Sequence, residues 1–174
     1  MEVLGLDPGS HKCGFSYLKH PKGRRKPAYG TFDISINDGG WRFDQVAQRI
    51  HELHEVAGYK PTIVAIELVP MVRSVTVFRD LVEVAGYLQE HTHKEWPDAV
   101  QLLIPVPEWK KLTVGRGNCG KPAVAKWAED YYGGLNKASQ DAIDAIAIAK
   151  AGSIIAEGGL YGDDEVGTNK GGVG

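Results

Sequence analysis

Cysteine is scarce in this chain: Cys13 and Cys119 are the two present in 174 residues, and neither has a neighbour at C-x-x-C spacing. Two such residues build neither a disulfide framework nor a cysteine-ligated zinc site, so both read as small, reduced side chains. Long apolar runs are missing too. No stretch approaches the roughly 18 consecutive apolar residues of a membrane span, and the N-terminus shows no basic segment leading into an apolar one. The expectation is a cytoplasmic protein that does not engage a membrane. Nor is one sign of charge in excess, the formal net charge being -2. That balance does not advertise nucleic-acid binding, although a whole-chain figure hides local clusters. There is no internal repeat.

What remains is one domain's worth of chain, 43% hydrophobic and long enough for a sizeable core. Residues 2–7, 14–18 and 28–36 read as three strands joined by turns, a β-meander. Phe43, Val46, Ile50, Leu53 and Val56 then recur at spacings of three and four, one face of a helix starting near Asp44 and ended by Lys60-Pro61. Residues 62–68 form a continuous apolar strand, as expected where both faces of a sheet are covered. A helix over 75–93, a strand over 100–106 and a short helix over 108–112 follow. Residues 113–120 carry three glycines among polar and basic residues and read as a loop. Pro122 suits the first turn of a helix running to about Tyr132, and Ser139 caps a last helix over 140–157. We expect an α/β fold of one domain, 1–157, with a glycine-rich, unordered tail, 158–174.

Four carboxylates stand out against this pattern. Asp7 closes Val3-Leu4-Gly5-Leu6, and Glu67 follows Ile63-Val64-Ala65-Ile66, so each acid sits where a buried strand meets the surface. If the two strands are parallel neighbours, their acids stand side by side at the strand ends, where α/β sheets place ligands. Asp141 and Asp144 are one turn apart and share a helix face. Asp141 alone suits a helix start and Asp7 alone suits a turn before Pro8-Gly9. Asp144, however, lies within Ala-Ile-Asp-Ala-Ile-Ala-Ile, an almost wholly apolar helix on which an unpartnered acid is misplaced. Convergence of all four on divalent cations removes the cost of burying them and matches the chemistry of phosphodiester hydrolysis.

Two basic clusters accompany the acids: Lys19, Lys22, Arg24, Arg25 and Lys26 in one turn-like segment, and Lys110, Lys111, Arg116 and Lys121 around the glycine-rich one. Each reads as a solvated loop unless folding brings its charges to one face. His11 reads as a surface histidine, and Trp96, Trp109 and Trp127 as packing residues.

The ordered set Gly5-Leu6-Asp7-Pro8-Gly9-Ser10, Ala65-Ile66-Glu67, Thr113-Val114-Gly115-Arg116-Gly117 and Asp141-Ala142-Ile143-Asp144-Ala145-Ile146 resembles the RuvC family of Holliday junction resolvases, within the RNase H-like superfamily. The motifs span residues 3 to about 151. The resemblance implies an RNase H-like fold with a mixed five-stranded sheet flanked by helices. It also implies a homodimer that nicks a four-way DNA junction symmetrically in two strands, with two magnesium or manganese ions per site on Asp7, Glu67, Asp141 and Asp144. Lys110 and Lys121 would correspond to two functionally important lysines, with Lys111, Arg116, Arg73 and the 19–26 cluster as further DNA contacts. One departure concerns the branch point: Pro70, followed by Met71, stands where relatives carry a stacking aromatic. The compact chain and short basic loop would fit a phage-encoded member. A rival is another RNase H-like nuclease acting on RNA–DNA hybrids or precursor RNA. An actin-like or sugar-kinase fold also opens with a strand, an Asp and a glycine turn, but is usually larger and has no need of D-x-x-D.

Overall fold

The computed structural model describes residues 1–34 and 42–158. In chain order they form β1 (Val3–Asp7), β2 (Lys12–Leu18), β3 (Ala28–Asp33), α1 (Arg42–Glu55), β4 (Ile63–Leu68), α2 (Val75–Glu95), β5 (Val100–Pro105), α3 (Val106–Val114), α4 (Lys121–Tyr132) and α5 (Gln140–Ala156). The sheet order is β3-β2-β1-β4-β5. β1, β2 and β3 pair antiparallel, and β4 and β5 extend the sheet parallel to β1. This is the mixed five-stranded α/β sheet that the strand pattern and the resemblance led us to expect.

Alternation along the strands divides the core in two. Val3, Leu18, Ile63, Ala65 and Ile104 face α5, behind which lie Trp109 of α3 and Val124 and Ala128 of α4. Leu4, Leu6, Tyr17, Val64 and Ile66 face Val46 and Ile50 of α1 and Val84 and Leu88 of α2. Because α5 lies between the sheet and two further helices, its sequence is apolar nearly all round: from Ala142 to Ser153 only Asp144 and Lys150 are not buried. Glycines set how closely it approaches. A β-carbon on Gly14 of β2 would lie 2.1 Å from the Asp141 carbonyl oxygen, and one on Gly5 of β1 would lie 2.4 Å from that of Ala145.

Several boundaries differ from the sequence reading. α1 begins at Arg42, which is buried and reaches Asp80 and Glu83 of α2 at 3.4 and 3.7 Å. α3 extends beyond 108–112 to Val114, so Thr113 and Val114 are helical; Gly115, at φ 85°, stops it in the left-handed conformation that glycine tolerates. β3 ends at Asp33, one residue short of buried Ile34, and the rest of the expected continuation, 35–36, the turn at 37–40 and the tail beyond 158 lie outside the described residues. Cys13 and Cys119 are both free thiols, as expected. No described helix is long and apolar enough to cross a membrane.

Candidate active site

Parallel pairing of β1 with β4 sets Leu6 beside Ile66, so Asp7 and Glu67 emerge side by side at the C-terminal ends of the two central strands. Asp7 also pairs with Gly14, the residue whose missing side chain admits the backbone of Asp141. The first turn of α5 therefore lies over the end of β1, and its D-x-x-D face meets the strand acids. The charges feel one another. Burial, followed by the charges of Glu67, Asp144 and Asp141, holds the Asp7 carboxyl well above the usual carboxylate range, and Lys121 opposes the shift. No hydrogen bond from a described residue relieves it.

Its neighbours are steadied by donors. The Trp109 indole N–H donates to Glu67 Oε2 at 2.9 Å, and the Gln140 amide donates to Asp144 Oδ1 at 2.7 Å. Burial still raises the Glu67 carboxyl; the indole hydrogen bond and the charges of Lys110 and Lys121 pull it back, and Asp144 adds to the rise. Asp144 is raised by burial and lowered by Gln140, Lys121 and Lys110, with a smaller upward push from Asp141. Ser139 caps α5 by accepting from the Ala142 N–H at 3.3 Å, which fixes the turn carrying Asp141.

The basic residues divide into two groups. Lys110 and Lys121 act on the acids' charges, and the Lys110 ammonium also donates to the Cys119 carbonyl at 3.0 Å, tying α3 to the loop before α4. Lys111, Arg116 and Arg73 are exposed and do not figure among the charges acting on Asp7, Glu67 or Asp144. The 19–26 cluster follows Leu18, which pairs with Val3 at the opposite end of β1, one strand length or about 15 Å from Asp7. There Arg24 lies over Tyr131 and Lys26 donates to the Gly134 carbonyl. Arg116 and Arg24 do meet along α4, where with Lys126, Trp127 and Tyr131 they line a groove of about 370 Å³. A cavity of about 630 Å³, lined in part by Glu2, Tyr17, Lys19 and Tyr59, lies at that far end and contains none of the four acids. His11 is exposed and accompanies Ser10 at 2.9 Å. Pro70 and Met71 are exposed just beyond the end of β4.

Sequence reasoning missed two positioning groups. Trp109 is indeed core, 1% exposed, but its indole also holds an acid 42 positions away; no local pattern carries that signal. Gln140, four residues before Asp144, was readable as an i, i+4 pair once the helix was placed.

A donor set of carboxylates alone, with no histidine or thiolate, suits a hard divalent cation. The Asp7 carboxyl, buried beside three like charges and opposed only by Lys121 among the charges acting on it, is a group that a bound cation would relieve. The acids are not clenched around a point. Among the described residues, the group whose prospective ligand atoms all lie within 4.8 Å of one another is His54, Glu55 and Glu95, elsewhere in the molecule. What joins the four is a shared charge environment: Glu67, Asp144 and Asp141 all act on Asp7, and Asp144 acts on Glu67.

The model of the family described as crossover junction endodeoxyribonuclease RuvC matches residues 3–151. The chain belongs to the RuvC family. With membership comes the activity of a metal-dependent endonuclease that resolves Holliday junctions. RuvC proteins of Chlorobaculum parvum and Francisella philomiragia are 31% and 29% identical over 157 and 161 residues, covering 86% of this chain and 79% and 85% of theirs. That of Citrifermentans bemidjiense is 27% identical over 156 residues, 86% of this chain and 90% of its own. The fold agrees with that of Thermus thermophilus RuvC, with a TM-score of 0.73 at 21% identity over 91% of this chain and 97% of that one. The same protein in complex with a Holliday junction substrate superposes with a TM-score of 0.71 at 20% identity, over 91% and 96% of the two chains. The RNase H-like arrangement expected from the motifs is thus the fold of this RuvC chain.

Proposed function

We propose that Asp7, Glu67, Asp141 and Asp144 are the catalytic ligands of this RuvC nuclease, holding two Mg2+ or Mn2+ ions per site at a four-way DNA junction. The observation that carries this reading is the Asp7 carboxyl, buried, set beside three neighbouring acids and relieved by no hydrogen bond from a described residue. Bound there, the cations would supply Lewis acidity to the scissile phosphate and lower the pKa of the attacking water. The chain's own residues do the rest. Lys110 and Lys121 offset part of the acids' charge and stand ready for phosphate oxygens flanking the cut. Trp109 fixes Glu67 and Gln140 fixes Asp144, leaving Asp144 one carboxylate oxygen to orient the water or take its proton. Lys111, Arg116 and Arg73 would contact phosphates further out, as exposed cations do, without reading sequence.

A labelled mobile four-way junction incubated with the protein and Mg2+ should yield paired, symmetric nicks. An RNA–DNA hybrid and a linear duplex should be cut far more slowly. Preferential cleavage of the hybrid would replace junction resolution with the rival nuclease activity.

Paired nicking calls for two sites related by a dyad, hence the homodimer. Val75 and Val82 are 82% and 47% exposed and lie seven residues apart on one face of α2, close in sequence to exposed Leu68 and Met71. Such apolar residues on the exposed side of a helix whose other face packs on the sheet are the best candidate for the contact. Val82→Asp should therefore give a folded monomer by sedimentation, with its melting temperature within about 2 °C of the parent at low concentration. It should cut only one strand per binding event. A variant that remains dimeric would place the contact elsewhere.

The indole contact gives a second expectation. Trp109→Phe keeps most of the buried volume and removes the N–H that lowers the Glu67 carboxyl. The acidic limb of the nicking profile should move to higher pH, and the Mg2+ concentration for half-maximal rate should rise about 10–100-fold, as for other loosened metal supports. A loss of stability with an unmoved pH limb would reduce Trp109 to packing.

A further inference from the structure

At the end of the molecule remote from the four acids, the last turns of α1 and α2 bring two histidines and two glutamates together. His54 Nδ1 lies 2.6 Å and His51 Nδ1 3.2 Å from the same oxygen, Glu95 Oε1. Glu55 Oε1 lies 3.7 Å from His54 Nδ1. His51 and His54 are three apart on α1, so both rings leave one face of the helix. Glu95 is the last residue of α2, which starts beyond the end of β4 where Glu67 lies and runs 21 residues, about 30 Å, away from it.

We infer that His51, His54, Glu55 and Glu95 form a second metal site, selective for a borderline cation such as Zn2+. Tetrahedral zinc bonds of about 2.0–2.1 Å leave neighbouring donor atoms somewhat more than 3 Å apart, close to the separations seen here. The 2.6 Å approach of His54 to Glu95 has to widen and the 3.7 Å approach of Glu55 to His54 to close, while His51, outside the group whose donor atoms all lie within 4.8 Å of one another, has to swing in to join them. The donor set, two imidazoles and two carboxylates, is one that zinc accepts and magnesium does not favour. Two helix C-termini converge on the cluster, and their partial negative charge adds to that of the two carboxylates in favouring a cation. The ligands are partly preset. Trp96, buried beside His54 at 5.7 Å between ring centroids, donates its indole N–H to the Tyr59 carbonyl and backs the imidazole. His51 and Glu55 are 62% and 59% exposed, which leaves an entry path from solvent. The competing description is a pair of imidazoles hydrogen-bonded to one carboxylate, and it predicts no metal affinity beyond that of a surface histidine. Zinc would clamp the C-terminal ends of the two helices covering one face of the sheet, bracing the fold without entering the nuclease reaction.

The test is made on the full chain carrying Asp7→Asn and Asp144→Asn, so that the acid site contributes little, after stripping with a chelator. Titration with Zn2+ should show one site per chain of micromolar affinity or tighter, which millimolar Mg2+ does not displace. Adding His51→Ala, an exposed change that leaves the core untouched, should weaken it about tenfold or more, and Glu95→Gln should do the same. Co2+ in the same site should give the strong visible absorption of four-coordinate cobalt, lost on His51→Ala. With Asp7 and Asp144 intact, His51→Ala should nick junctions in Mg2+ at the parent's rate. Absence of Zn2+ binding, or affinity unchanged by both substitutions, overturns the site; neither result touches the nuclease reading.

Discussion

Asp7→Asn is expected to abolish junction nicking, to leave junction binding in place, and to raise the melting temperature of the metal-free protein. Loss of a central ligand should lower the nicking rate by about a thousandfold or more, the scale seen when one member of a catalytic set is removed. Binding rests on cations spread over the surface and should change little, as a gel shift with a radiolabelled junction in Ca2+ would show. The stability gain follows from the carboxyl's position. Asp7 is buried among like charges with no hydrogen bond from a described residue, so an uncharged isostere removes a burdened group, for a gain of about 1 kcal/mol, roughly 3 °C in a chain of this size. Its pH dependence has a definite sign. A carboxyl raised in the folded state binds its proton more tightly there than in the unfolded chain. Its contribution is complete below the ordinary value of about 4 and is lost as pH rises through the folded-state value. The benefit of Asn should thus be small near pH 4, largest near neutrality, and cancelled or reversed by saturating Mg2+. A variant that still nicks, or that melts lower than the parent at every pH without metal, would remove Asp7 from the centre of the site.

Gly14→Ala should be nearly as damaging to activity although the residue touches no substrate. Its added β-carbon would lie 2.1 Å from the Asp141 carbonyl oxygen and 2.5 Å from the carbonyl carbon, both backbone atoms that cannot rotate away. α5 must shift, and the shift falls on the turn carrying Asp141 and Asp144. Overpacking of this kind costs about 1–3 kcal/mol, a fall of roughly 3–10 °C in melting temperature. Nicking should fall by about a hundredfold even at temperatures where the variant is fully folded, because a displacement near 1 Å is enough to spoil a reacting geometry. Wild-type nicking by a folded Gly14→Ala protein would show that the helix start is free to adjust. Gly5→Ala serves as the contrast: the clash there is with the Ala145 carbonyl and Ala149, further along α5, so stability should suffer before chemistry does.

Much of this arrangement is legible in the sequence because it depends on local pattern. β1 and β4 are continuous apolar runs because both faces of the central sheet are covered, and an acid at the end of each run has only one place to go. Likewise, α5 advertises its burial through unbroken Ala and Ile, which is what makes Asp144 conspicuous. What could not be read depends on partners distant in the chain. The extension of α3 through Thr113 and Val114 needed a glycine that the sequence shows only as one of three, at 115, 117 and 120; the first of these adopts positive φ. The Trp109 indole finds Glu67 only after the chain passes from β4 through α2 and β5 to α3. The 19–26 cluster looked like an outer arm of the acid site, but the antiparallel turn of β2 carries it to the other end of the sheet. The Gly14–Asp141 contact is equally silent in sequence, where a glycine in a strand signals close approach without naming what approaches.

The placement of two acids on the most enclosed helix has a consequence for how activity fails. Segments whose amides are shielded by a sheet on one side and two helices on the other open only when the whole domain opens. Hydrogen–deuterium exchange along α5 should therefore track global unfolding, with no softer sub-state in which Asp141 and Asp144 drift while the remainder persists. Heat or denaturant would then switch the nuclease off along a single curve, and a partly inactivated sample would be a mixture of intact and unfolded molecules.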